Sequence, residues 1–143
     1  FEENVRRTKE VVDYAHAHNV SVEAEIGHVA GIPKRWQNNP PVNQVYTTVE
    51  EAAAFIEQTK ADSLAVSIGT SHGVYKIKKS TLNFDRLHEL ANTIPVPLVL
   101  HGGSAQEMQS KKCIAGGIAK VNVFTEFTTA ALTGARRLLQ KAT

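Results

Sequence analysis

Four polar side chains stand where this sequence turns from apolar to irregular: Glu25, His72, His101 and Asn122. Imidazole and carboxylate are metal donors. Either histidine alone reads as a hydrogen-bonded structural residue. Two of them, each at a strand end and each followed by glycine, read as donors to one metal. A catalytic zinc normally takes three protein ligands, so a third must come from Glu25 or from sequence outside this chain. Phosphate chemistry is written beside the metal chemistry. In Leu98-Val99-Leu100-His101-Gly102-Gly103-Ser104 an apolar run ends in a histidine, and two glycines let the backbone turn and approach a ligand. Ser104 and the N–H groups beside it suit an anion. Thr125 stands in the same place after Asn122, at the start of a helix whose N-terminus favours phosphate. Plain helix capping explains Ser104 and Thr125 equally well, and the two roles are compatible.

The elements that must position these residues alternate. Helical spacing runs from Asn4 to His18, and an alternating strand from Ser21 to Gly27. Thr48 and Glu51 form a capping-box pattern that opens a helix ending near Lys60. A buried strand lies within Asp62–Gly69, and Asn83 caps the next helix. Pro95 and Pro97 introduce the strand Leu98–Leu100. A weaker helix from Gln106 to Ala115 ends at Gly116-Gly117, a strand follows over Ile118–Val123, and a last helix runs through Leu139. One helix followed by four strand–helix units predicts an α/β fold with a parallel sheet covered by helices. No G-x-G-x-x-G follows any strand, so there is no dinucleotide fingerprint. The polar residues sit at C-terminal strand ends, where a TIM (β/α)8 barrel keeps its active site. A whole barrel takes about 250 residues, so this chain is roughly half of one. In a barrel Glu23 and Glu25 face inward, where carboxylates need a cation or donors.

The rest of the chain bounds the partners. The 143 residues are 42% hydrophobic and 21% charged with a net charge of +2. That balance suits one globular domain. Lys76, Lys78 and Lys79 cluster without the interleaved aromatics a nucleic-acid platform needs. No apolar run reaches the roughly 20 residues of a membrane span, and no signal peptide is visible. Cys113 is the only cysteine, buried in a helix, and a reducing cytoplasm fits. The chain starts mid-pattern without Met, so an excised or incomplete chain is expected. The long segment from His28 to Tyr46 carries Lys34, Arg35 and Trp36, either as a lid over an anionic substrate or as a solvated loop. His28 ends a strand, where a lid or ligand role is open to it but is not the favoured reading. His16, His18 and His88 fall on helical surfaces. Lys120 is the one lysine within a strand, and an outward, solvated side chain is expected of it. Two unpaired sheet edges predict pairing with a missing half or with another copy, hence a homo-oligomer, dimer or tetramer.

Val22-Glu23-Ala24-Glu25-Ile26-Gly27, Ile68-Gly69-Thr70-Ser71-His72-Gly73-Val74-Tyr75-Lys76, His101-Gly102-Gly103-Ser104 and Lys120-Val121-Asn122-Val123 occur in that order. Together they resemble the class II, zinc-dependent ketose-bisphosphate aldolases, which implies the C-terminal half of a TIM (β/α)8 barrel, a single partial barrel domain over residues 1–143 without the N-terminal strands. The resemblance implies reversible cleavage of a ketose 1,6-bisphosphate to dihydroxyacetone phosphate and an aldehyde, glyceraldehyde 3-phosphate. It implies zinc on His72 and His101, with Glu25 near that metal or an alternative metal site, and catalytic roles for Asn122 and Glu25. Gly73, Lys76, Gly102, Gly103, Ser104 and Thr125 fall at phosphate-binding positions, Asn122 at a triose contact, and Gly73 and Ser104 near a monovalent cation. Three departures stand out. The family's Asp-His pair, general acid/base and third zinc ligand, is absent. Ile32-Pro33-Lys34-Arg35 replaces an acidic loop, and Phe124 replaces an Asp after Asn122. Two other readings remain: a Schiff-base aldolase using Lys120, and a non-catalytic barrel piece that binds sugar phosphate or a partner chain.

Overall fold

A computed structural model describes residues 1–27, 46–70, 82–102 and 107–141. Among them the chain runs α1 (Glu2–His16), β1 (Glu23–Ile26), α2 (Val49–Thr59), β2 (Ser63–Val66), α3 (Phe84–Thr93), β3 (Leu98–Leu100), α4 (Glu107–Ala115), β4 (Ile118–Val121) and α5 (Thr125–Lys141). The expected leading helix and four strand–helix units are all present. The strands lie in the order β1-β2-β3-β4, and every pair is parallel. A parallel neighbour is reached only by a crossover, and crossovers of one hand that never reverse direction put α2, α3 and α4 on one face of the sheet, where Val12 of α1 also packs. The fold is therefore a half TIM barrel, without the reversal that splits the helices of a doubly wound sheet between two faces.

The side chains divide accordingly. Ala24, Ile26, Leu64, Val66, Leu98, Leu100 and Ile118 point into one apolar core with Val12 of α1, Phe55 and Ile56 of α2, Leu87 and Leu90 of α3, and Cys113 of α4. The opposite face carries Glu23, Glu25, Ser63, Ala65 and Val99, because successive strand residues alternate sides. His16, His18 and His88 lie on the exposed surface, and the thiol of Cys113 is buried, as the sequence suggested.

Local chemistry sets the ends of the elements. The Thr48 hydroxyl accepts from the Glu51 N–H at 3.1 Å and donates to Glu51 Oε2 at 3.0 Å. The capping box thus closes through the hydroxyl. Asn83 Oδ1 accepts from the Arg86 N–H at 2.9 Å. At the N-terminal ends of the strands, Asp62 accepts from the Val22 N–H at 2.7 Å and pairs with His16 Nε2 at 2.9 Å. At the C-terminal ends, the buried Thr47 hydroxyl donates to Ile26 O at 3.0 Å and accepts from the Ser67 N–H at 2.9 Å, tying β1 to β2. Gly117 turns α4 into β4 at φ +113°, and a Cβ there would lie 2.5 Å from Ala91 Cβ. Among the described residues, β1 and β4 are each paired on one side only.

Candidate active site

Residues from three strands meet on the face opposite the helices. His101 follows directly on β3 and lies between two carboxylates of β1: Nδ1 is 3.1 Å from Glu25 Oε2 and Nε2 is 2.9 Å from Glu23 Oε1. Asn122, just past β4, places Nδ2 2.9 Å from Glu23 Oε1 and 2.8 Å from His101 Nε2. Lys120 Nζ donates to Glu23 Oε2 at 2.7 Å. Strands β1 and β4 are separated by two others, so on a flat sheet they would stand about 14 Å apart at about 4.8 Å per strand. An ion pair across that gap requires the sheet to curl toward this face, as a barrel wall does. The crossing also requires something small on β2. Ala65, opposite Glu25 and Val99 in register, supplies it, and His101 reaches over it to β1.

Lys120 is exposed, as expected of a solvated lysine, but it faces the site instead of pointing outward. Leu98 pairs with Ile118, but Val99 pairs with Lys120, so one extra residue, Ala119, is inserted between them. A one-residue slip moves every later side chain to the other face. Without it Ala119 and Val121 would face the site. With it, Lys120 and Asn122 do. Asn122 is then locked opposite His101 by its backbone N–H, which donates to Leu100 O at 3.0 Å.

Electrostatics follow from this packing. Burial pushes the Glu23 carboxyl up, but hydrogen bonds from Lys120, His101 and Asn122 outweigh it and hold the group below the usual carboxylate range. The His101 and Glu23 side chains keep only 17% and 22% of their exposure, so these contacts are partly shielded from solvent. Gly102 follows His101 at φ +66°. Glycine adopts that left-handed conformation without strain. Thr125 opens α5 half-buried.

Thus Glu25, His101 and Asn122 come together, with Gly102 beside them. His72, Gly73, Lys76, Gly103 and Ser104 lie outside the described residues, as do His28, Lys34, Arg35 and Trp36. Glu23 and Lys120 were not singled out as site residues by the motifs. The Glu23/Glu25 alternation signalled the first, while nothing in the sequence marked the bulge that delivers the second. The chemistry of the donors suits a divalent metal. Two donors on a tetrahedral zinc stand about 3.3 Å apart. Nδ1 of His101 and Oε2 of Glu25 stand at 3.1 Å. They are two donors only. Among the described residues no group of three His, Cys, Asp or Glu forms a metal site.

A concave parallel sheet with imidazole, carboxylates and an amide at its C-terminal strand ends is the functional face of a TIM-barrel protein. Residues 1–143 all match the family described as fructose-bisphosphate aldolase class-II. The fructose-bisphosphate aldolase of Thermus caldophilus is 42% identical over 164 aligned positions, covering 99% of this chain and 53% of that protein. The sulfofructosephosphate aldolase of Alkalicoccus urumqiensis is 42% identical over 141 positions, 98% of this chain and 48% of that one. The crystal structure of the YdjI aldolase from Escherichia coli K12 superposes with a TM-score of 0.78 at 38% identity, over 95% of this chain and 46% of that one. The chain belongs to the class II fructose-bisphosphate aldolase family, and it spans about half the length of the curated relatives it matches.

Proposed function

We propose that this chain carries the triose-phosphate and metal half of a class II aldolase site, and that within a complete barrel it serves zinc-dependent, reversible cleavage of a ketose 1,6-bisphosphate to dihydroxyacetone phosphate and glyceraldehyde 3-phosphate. The observation that carries the reading is the convergence of His101, Glu25 and Asn122, from three strands, on one concave face. His101 and Glu25, with His72, would hold the metal. Bound there, a divalent ion acts as a Lewis acid toward a carbonyl oxygen. The chain's own groups bind and orient: Gly73, Lys76, Gly102, Gly103, Ser104 and Thr125 grip phosphate, and Asn122 meets a triose hydroxyl. Holding the triose in one pose lowers the entropic part of the barrier. A monovalent cation near Gly73 and Ser104 belongs to the same reading. Homo-oligomerisation, as a dimer or tetramer, and a cytoplasmic location are proposed with it. No helix among the described residues is long and apolar enough to cross a membrane.

Cleavage also needs a general acid/base at the aldehyde oxygen. The Asp-His pair expected to supply it, and the third metal ligand, has no counterpart in these 143 residues. The chain alone, assayed with fructose 1,6-bisphosphate and added zinc, is therefore expected to show no turnover. Robust cleavage would overturn the division of roles. A second reading, a non-catalytic barrel piece that binds sugar phosphate, is favoured by Phe124, which is 75% exposed where the family carries an Asp. Metal analysis of the purified chain separates the two, since phosphate binding alone requires no zinc.

A further inference from the structure

We propose that Glu23 is the positioning residue of this site, fixing the Asn122 carboxamide so that its oxygen is the acceptor offered to a substrate hydroxyl. The proposal rests on the triose-binding reading and names the group that orients its hydroxyl contact. Glu23 Oε1, His101 Nε2 and Asn122 Nδ2 form a triangle with sides of 2.8 to 2.9 Å. Three polar atoms so close cannot all be hydrogen-bonded pairwise with free choice of roles. A carboxylate oxygen only accepts and an amide nitrogen only donates. Oε1 therefore takes the Asn122 amide whichever ring nitrogen of His101 carries the proton. Nε2 then either donates to the same oxygen or accepts the second amide hydrogen. In both arrangements Nδ2 is turned toward Glu23. Asn122 Oδ1 takes no partner among the described residues and is left for a ligand.

The carboxylate is itself held in place. Lys120 binds its other oxygen at 2.7 Å, and the inserted Ala119 brings Lys120 and Asn122 to the same face. One bulge thus delivers both the residue to be oriented and the cation that anchors its orienter. Glu23→Gln preserves size but not this logic. A glutamine amide donates as readily as it accepts, so it can satisfy Asn122 Oδ1 and turn Nδ2 outward. A site that offered an acceptor would then offer a donor.

The test titrates the wild-type chain and Glu23→Gln with dihydroxyacetone phosphate, and separately with inorganic phosphate, in the presence of zinc. The substitution is expected to weaken dihydroxyacetone phosphate by about three- to tenfold, the range of one net hydrogen bond, and to leave inorganic phosphate unchanged. Lys120→Met, which keeps the carboxylate, is expected to lose less. Equal preference for the triose in wild type and Glu23→Gln overturns the positioning role and leaves the functional reading standing. A wild-type chain that binds neither probe removes the functional reading and this proposal with it. A measurement without any variant is the side-chain amide of Asn122 in the wild-type NMR spectrum. Its hydrogens are expected to exchange roughly tenfold more slowly than those of a solvated asparagine, again the range of one net hydrogen bond, and free exchange refutes the proposal.

Discussion

Adding one methyl group at Gly117 tests the joint that delivers β4 to the site. The residue sits at φ +113°, and an added Cβ would lie 2.5 Å from Ala91 Cβ on α3. Two costs add. A side chain held at positive φ costs roughly 1–2 kcal/mol. Carbon atoms prefer about 3.5–4.0 Å, so α3 or β4 must shift by about an ångström, an overpacking cost of roughly 1–3 kcal/mol. Less the roughly 0.4–1 kcal/mol gained when glycine is removed from the unfolded chain, Gly117→Ala is therefore expected to destabilise by about 1–4.5 kcal/mol, and to lower Tm by roughly 3–15 °C for a domain of this size. Gly116 is the control. Its added Cβ would meet Leu87 Cδ2 at 2.8 Å, the end of a side chain rather than backbone, and Lys112 O at 3.2 Å, and its φ is not positive. Some of that cost is offset by the roughly 0.4–1 kcal/mol gained when glycine is removed from the unfolded chain, so Gly116→Ala is expected to cost about 1 kcal/mol or less. The assay is urea unfolding followed by both circular dichroism and fluorescence, with coincident transitions required. A loss below about 1 kcal/mol for Gly117→Ala, less than the backbone cost alone, or a larger loss for Gly116→Ala, refutes the reasoning.

Acid titration gives a second prediction. Hydrogen bonds lower the Asp62 carboxyl, from His16 first and the Val22 N–H next, and those from Lys120, His101 and Asn122 lower Glu23 against burial. Depressed folded-state values mean that the unfolded chain takes up protons first, near pH ~4. The stabilisation is complete above that point and is lost as pH falls through the folded values. Asp62→Asn and Glu23→Gln should therefore lower Tm at neutral pH and differ less from wild type in acid below the unfolded carboxylate range; gaps that stay constant with pH would contradict this. Borohydride added with dihydroxyacetone phosphate is expected to leave Lys120 unlabelled by mass spectrometry. Its ammonium is held by Glu23 at 2.7 Å, and an ammonium offers no lone pair to a carbonyl. Labelled Lys120 would revive the Schiff-base mechanism.

Much of the frame was legible because local rules and tertiary packing agree here. Leu98–Leu100 is an apolar run between Pro97 and Gly102, and it is a strand. Thr48 and Asn83 announced their helices by cap chemistry and cap them. Strands came out shorter than the alternation suggested, since residues such as Ser21 and Val22 extend past the last paired partner. What stayed hidden was face. Lys120 looked like an outward lysine because period-two alternation cannot register an inserted residue, and only pairing with β3 reveals that Ala119 is extra. Glu23 looked like a neighbour of Glu25, and its part emerged only when the curl of the sheet brought β4 within reach of β1.

The account turns on a metal held beside His101. Nitrogen NMR of the histidine rings during zinc titration reads this directly. One equivalent of zinc is expected to shift the His101 ring nitrogens, in slow exchange, with Glu25→Gln weakening the binding and His101→Ala abolishing it. Ring signals of His101 that stay unmoved at stoichiometric zinc would contradict the claim.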